Sequence, residues 1–338
     1  MPDSVPVVVM RATPVRIGVI GTGTVGRWLL RAIQRDRDRL RARYGIDLRV
    51  VAVGSRAGLA VDAAGIDIDA VLKRGARGGS VMKGLATLDA DVLAEVSQSP
   101  PSHGEPGLSH IRAALSRGIA VATSNKWPVA LAGVDLVTLA ERNRTRFRAE
   151  STVMSGTPVL AAFTDGIGGA TPLRLRGVLN ATVNVICSRM RGGASYADAL
   201  ADAQAAGLAE RDPSADVDGL DSVAKLMVLS ALVFGEQLAL ADVTRRGLSE
   251  LARIGVEPGA PIREVATLDP GAGRRSVEAT VVADDDPLAA VEGATNSIRL
   301  EADPLGEVTI TGPGAGPALA GQGVFSDVIA LARRLAAQ

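Results

Sequence analysis

The stretch Glu210-Arg211-Asp212-Pro213-Ser214-Ala215-Asp216-Val217-Asp218-Gly219-Leu220-Asp221 sets carboxylates ahead of Lys225 and the apolar run Leu226-Met227-Val228-Leu229. A helix from Gly219 to Leu232 places Asp221 and Lys225 one turn apart on one face, which Val228, Leu229 and Leu232 continue toward an apolar interior. A lysine held between a carboxylate and an apolar face can carry a shifted pKa and serve as a proton donor or acceptor. The same residue types also build a solvated helix cap with an ordinary ion pair. A calcium loop does not fit, because the alternating ligands, central glycine and distal glutamate are missing.

A second constellation lies near the N-terminus. Val15 to Ile20 reads as a short apolar strand that runs into Gly21-Thr22-Gly23-Thr24-Val25-Gly26 and then a helical pattern through Trp28, Leu29, Leu30 and Ile33. In this strand–turn–helix setting, Gly21 permits the tight turn, Gly23 lets a pyrophosphate approach the backbone, and Gly26 allows close helix packing. Thr24 and Val25 open the helix whose amides face the phosphates. The next strand, Leu48 to Gly54, ends at Ser55-Arg56 and not at the acidic residue that would hold a ribose 2′-hydroxyl. A hydroxyl donor and a guanidinium suit a 2′-phosphate, so NADP(H) is preferred, with NAD(H) as the alternative.

Strands at Asp91 to Val96 and Ile119 to Thr123, with a helix from Leu108 to Arg117 between them, continue an alternating pattern. Ser97 follows the first strand and Ser124-Asn125-Lys126 the second, at carboxyl ends where parallel sheets bind ligands. Ser97, Asn125 and Lys126 are therefore cofactor candidates. Lys126 either faces the nicotinamide and substrate or belongs to an exposed turn.

Composition narrows the classes. The 338 residues, 47% hydrophobic and 22% charged, exceed what one core usually organises, so two domains are expected. Lys plus Arg and Asp plus Glu both number 37, so no global field draws the chain to nucleic acid or an anionic membrane, and a small zwitterionic substrate suits the balance. With 2% aromatic residues there are few stacking platforms for single strands, and Arg35 to Arg43 alternates with aspartate as a solvated helix face does. Val7 to Met10 and Leu226 to Phe234 are too short to span a bilayer. The single Cys187 excludes an internal disulfide, and the N-terminal segment lacks a secretory pattern, so a cytoplasmic location is expected.

Gly21 to Gly26, Thr123-Ser124-Asn125-Lys126, Gly104-Glu105-Pro106-Gly107, Gly177-Val178-Leu179-Asn180-Ala181-Thr182-Val183-Asn184 and the acidic segment through Lys225 together resemble the homoserine dehydrogenase family, from about Val15 onward. The resemblance implies interconversion of L-homoserine and L-aspartate 4-semialdehyde, as in threonine and methionine biosynthesis. It implies Lys126 and Lys225 as catalytic proton-transfer lysines, Asp221 as the residue orienting Lys225, and Thr182, Glu210 and Asp216 around the substrate. It also implies a monovalent cation, Na+ or K+, at Glu150 with the carbonyls of Val153, Ser155 and Thr157. The chain departs from the family pattern at Met154 and Ser155, where glycines are common, at Ala181 for glycine, at Val185 for tyrosine, and around Leu319 to Gly323. These departures bear on substrate identity more than on reaction class.

The expected fold class is α/β: a Rossmann-type doubly wound nucleotide domain at 1–150, joined by a returning helix at 323–338, plus a mixed α+β substrate and dimerisation domain at 151–322. Strands of the second domain are expected at Leu173 to Leu179, Ser276 to Val282, Ser297 to Glu301 and Val308 to Thr311, and pairing across a two-fold axis gives a homodimer. The chain ends without the regulatory extension some relatives carry, so amino-acid feedback is not expected. Two other readings stand beside the first: a dehydrogenase of the same fold acting on another small amino-alcohol or aldehyde, and a non-catalytic NADP(H)-binding regulator.

Overall fold

The computed structural model describes residues 12–257 and 259–337, so the Val7 to Met10 run lies outside the described residues. β1 (Thr13–Ile20) runs into α1 (Thr24–Arg35), which buries Leu29, Leu30 and Ile33 at helical spacing. The arginine block forms α2 (Arg37–Tyr44), where Leu40 is the buried residue; its arginines are exposed, but Arg37 and Arg41 also pair with the buried Asp47 carboxylate at 2.8 and 2.9 Å. β2 (Ile46–Ser55), β3 (Gly58–Val61), α3 (Ile68–Arg74), α4 (Val81–Leu85) and β4 (Val92–Glu95) follow. Then come α5 (Gly107–Ser116), β5 (Ala120–Thr123), α6 (Lys126–Arg142) and β6 (Phe147–Arg148).

These strands form one sheet in the order β3-β2-β1-β4-β5-β6, with every pair parallel except β2 with β3. The order reverses between β1 and β4. That switch point leaves a crevice beyond the carboxyl ends of the strands, where the glycine-rich turn sits.

The second unit comprises β7 (Thr171–Val178), α7 (Ala181–Arg191), α8 (Tyr196–Ala205), α9 (Ser214–Val217), α10 (Leu220–Leu229), β8 (Thr244–Arg246) and α11 (Leu248–Ile254). β9 (Ile262–Asp269), β10 (Arg274–Val281), β11 (Thr295–Asp303) and β12 (Gly306–Pro313) complete it. Its sheet has the order β12-β11-β7-β9-β10-β8 and is antiparallel apart from the parallel pair β8 with β10, a mixed sheet as expected. α7 and α10 pack on β9. The four strands expected here are present, while β8 and β9 were not anticipated.

α12 (Pro317–Ala336) returns to the first sheet, packing on α1 and placing Val324, Phe325, Val328 and Leu331 in its core. The helix begins before position 323, so its first turns cross from one unit to the other. Among the described residues no helix is long and apolar enough to cross a membrane.

Candidate active site

The nucleotide cradle is built by sterics. Gly21 has φ 112, a left-handed conformation that favours glycine, and a Cβ on Gly26 would collide with the Gly21 carbonyl. Gly23 is different: nothing lies within 4 Å of where its Cβ would stand, and that open space is what a pyrophosphate needs. No side chain caps α1, so its first amides remain available to an anion. These residues fit a dinucleotide. Thr24 opens the helix and is exposed, with half-buried Val25 beside it. At the end of β2, the Ser55 hydroxyl accepts the Ala57 amide at 3.1 Å and shapes the turn, and Arg56 is exposed.

Across the crevice, Lys126 opens α6 immediately after β5. Its ammonium pairs with Asp221 Oδ1, although 95 residues separate the two. Asp221 Oδ2 lies 2.9 Å from Lys225 Nζ, the one-turn pair expected on α10. Lys225 also donates to the Leu179 carbonyl at 2.7 Å, which leaves its third hydrogen for another acceptor. Burial works against the charged form of Asp221, but the ammonium groups of Lys126 and Lys225 outweigh it and hold the carboxyl well below the usual range. Asn180 ties in the next carboxylate, donating to Asp216 at 2.8 Å and to Asp221 at 3.2 Å. Burial pushes the Asp216 carboxyl up, and the Asp221 charge adds to the shift.

These groups line a cleft of ≈ 300 Å³ that also includes Ser124, Thr182 and the Gly314-Ala315-Gly316 loop. A larger hollow of ≈ 430 Å³ on the open face of the second sheet is lined by arginines such as Arg174 and Arg246 and holds none of the groups above.

Not every expected residue joins the cleft. Glu210 is exposed and outside its lining, where its carbonyl accepts from Gln204 Nε2 at 3.0 Å. The Glu150 carboxylate accepts the amides of Val159, Leu160 and Ala161 at 2.7, 2.8 and 2.7 Å, capping the turn that follows. The Thr157 carbonyl in turn accepts the Val159 amide at 2.9 Å, so the Glu150 carboxylate and this carbonyl are both tied to the same turn. Among the described residues no cluster of three or more His, Cys, Asp or Glu could hold a metal ion. Ser155 has φ 51, so the departure from glycine places a side chain in left-handed backbone.

Three participants were not anticipated. Glu95, fully buried at the end of β4, accepts from Ser97 Oγ and from Asn125 Nδ2 at 3.0 Å, so it organises two expected cofactor residues. Asn180 links Asp216 and Asp221, and Glu264 lies buried on β9 below α10. Asn180 stood in a recognised motif, whereas a carboxylate inside an apolar strand carries no local signal.

A phosphate cradle at the switch point of a doubly wound sheet, facing two lysines that share one carboxylate, defines an NAD(P)-dependent oxidoreductase. Residues 21–150 match the family model described as "Homoserine dehydrogenase, NAD binding domain", and residues 158–329 match "Homoserine dehydrogenase". The chain is 33% identical over 342 residues to the NAD(+)-dependent homoserine dehydrogenase of Pseudomonas canavaninivorans, covering 94% of this chain and 96% of that one. It is 34% identical over 337 residues to the homoserine dehydrogenase of Mycobacterium tuberculosis H37Rv, covering 95% and 73%. A hyperthermophilic archaeal homoserine dehydrogenase in complex with NADPH superimposes with a TM-score of 0.81 at 30% identity, covering 94% and 98%. The homoserine dehydrogenase of Thiobacillus denitrificans gives 0.82 at 27%, covering 97% and 75%. The chain belongs to the homoserine dehydrogenase family.

Proposed function

We propose that the protein interconverts L-homoserine and L-aspartate 4-semialdehyde with NADP(H) as preferred cofactor and with lysine-assisted proton transfer. The observation that carries this reading is the Lys126–Asp221–Lys225 cluster, which joins α6 of the nucleotide unit to α10 of the other within one small cleft. When bound, the nicotinamide accepts or supplies hydride at the substrate carbon. Alcohol oxidation must also release the hydroxyl proton: Lys225 as the neutral amine, with a position left toward the cleft, takes it and becomes the ammonium, and the ammonium gives it back in the reverse direction. Asp221 fixes both ammonium groups. Asp216 and Thr182 face the same cleft and suit the ammonium and polar end of an amino acid, and Asn180 holds Asp216 in place.

A second reading, another small amino-alcohol as substrate, is favoured by two observations: the Ala181 methyl lines the cleft, and Glu210 does not. Initial rates over a panel of ω-hydroxy amino acids separate the two. Turnover of a different compound with none of homoserine overturns the first.

The cofactor preference rests on Arg56, exposed at the end of β2, where no carboxylate is present to hold a ribose hydroxyl. The relatives include one named as NAD(+)-dependent and one solved with NADPH, so the preference is this chain's own matter. Arg56→Ala is expected to raise KM for NADP+ about tenfold and to leave KM for NAD+ within about twofold. Equal effects on both cofactors count against a 2′-phosphate contact.

The open face of the second sheet supports a homodimer. It presents Arg174, Arg274, Arg299, Glu301 and Glu307, with Arg174 paired to Glu301 and Arg299 to Glu307 at 2.6 Å. Charges balanced within one face let the same patch meet itself across a two-fold axis. Sedimentation equilibrium is expected to return twice the chain mass, and a monomer at micromolar concentration contradicts the dimer.

A further inference from the structure

Glu264 differs from the other buried carboxylates among the described residues. Glu95 and Glu150 have partners on both oxygens, and Asp327 accepts the Glu150 amide at 2.9 Å. Glu264 receives only the Ser222 hydroxyl on Oε1, and its Oε2 has no partner among the described residues. The residue sits on β9, where α7 and α10 cover the strand, and Ser222 is the immediate neighbour of Asp221. Oε2 points at the start of α10: a Cβ placed on Gly219 would stand 3.2 Å from it, with Val277 and the stem of Arg245 next nearest. The charged and titratable groups that act on it are Asp221 and Lys225 on α10, Asp216 on α9 and the Cys187 thiol on α7, while from β8 the stem of exposed Arg245 reaches the same Gly219 turn. Its cross-strand neighbour on β10 is Ala279.

We propose that Glu264 is a positioning residue for proton transfer, a reserve acid behind the catalytic helix whose own proton sets how firmly Lys225 holds its proton. This rests on the proposed lysine-assisted reaction and deepens it. With Glu264 neutral, Asp216 and Asp221 are the carboxylates beside the two lysines. With Glu264 ionised, a third carboxylate faces Lys225 through a dry interior, where charges are weakly screened. The extra negative charge favours the ammonium form of Lys225, so it weakens that lysine as acceptor of the hydroxyl proton and strengthens it as donor to the aldehyde. Burial pushes the Glu264 carboxyl up to about 8, so the change of state falls within the range where alcohol oxidation is assayed. The sign follows: above that pH the oxidation direction loses drive and the reduction direction keeps it.

The test compares kcat for homoserine oxidation in wild type and Glu264→Gln as a function of pH, with NADPH binding measured in both to establish that each is folded. The ratio of variant to wild-type kcat is expected to rise severalfold as pH passes through about 8. A ratio that stays flat across that range overturns the proposal, because a merely structural role changes rate without following pH. Ser222→Ala gives an independent reading that keeps the carboxylate. Loss of the hydroxyl donor makes ionisation harder, so the wild-type inflection is expected to move to higher pH, and an unmoved inflection overturns the proposal. Absence of homoserine turnover in wild type overturns the underlying reaction as well, whereas turnover with a flat ratio removes only the role of Glu264.

Discussion

Lys225→Ala is expected to lower kcat for homoserine oxidation by about 10³-fold, with NADPH affinity unchanged within about twofold. The separation of the two effects follows from geometry. Lys225 belongs to α10, bonded to Asp221 at 2.9 Å and to the Leu179 carbonyl at 2.7 Å, and the nucleotide cradle around Gly21 to Gly26 lies in the other unit. Removal of the ammonium leaves Asp221 paired with Lys126, so the cluster keeps a counter-ion and the fold is not left with an unpaired buried carboxylate. The loss is therefore chemical. It should appear in kcat more than in KM, because the interaction matters most as the proton moves. Steady-state kinetics in both directions with a nucleotide titration check it; a variant that keeps wild-type kcat removes Lys225 from proton transfer.

Asp221→Asn is expected to have an effect on both activity and stability. One carboxylate sits between two ammonium groups, and the amide that replaces it can accept from one lysine but neutralises neither. Loss of the central partner from such a largely buried cluster costs about 3 kcal/mol of stability, and misplacement of both lysines lowers kcat by about 10²-fold or more. The pH dependence gives a separate signature. The Asp221 carboxyl is held below its unfolded value by Lys126 and Lys225, against the opposing effect of burial. Its stabilising contribution is thus complete above about pH 4 and is lost as pH falls toward the folded value. Thermal unfolding curves should show a smaller gap between wild type and Asp221→Asn in acid than at neutral pH. A gap that does not narrow assigns the stability effect to packing.

Local features of this molecule were legible in the sequence and distant ones were not. The β1–α1 turn was readable because a strand pattern, three glycines and a helical pattern stand in one continuous stretch. The Asp221–Lys225 pair was readable because helical spacing alone places one residue above the other. α10 ends at Leu229, and a π turn over Ser230–Phe234 carries the chain onward to about where the helix was expected to stop. β9 carries no strand pattern for a physical reason: its residues from Ile262 to Leu268 are all buried, yet two of them are Arg263 and Glu264, which disguise a central strand as a polar one. The Arg263 guanidinium is accommodated by the carbonyls of Ile262, Leu288 and Ala289 at 2.6, 3.1 and 2.6 Å.

The start of α12 was hidden by glycines, which ordinarily mark helix ends. Here they serve close packing, since a Cβ on Gly321 would meet the Trp28 ring and one on Gly323 would meet Ser151 and the Ser155 carbonyl. The Lys126–Asp221 pair depends on how the two units meet, which no local pattern encodes. The resemblance puts Glu210 near the substrate, and the fold leaves it exposed at the edge while Asp216 and Asp221 line the cleft.

The most direct test of the central claim is the initial rate of NADPH formation by the wild-type protein with L-homoserine and NADP+, with the product identified as L-aspartate 4-semialdehyde. The Lys126–Asp221–Lys225 cleft predicts steady turnover that requires both compounds. Tight NADPH binding with no turnover of homoserine in one direction or of the semialdehyde in the other contradicts it.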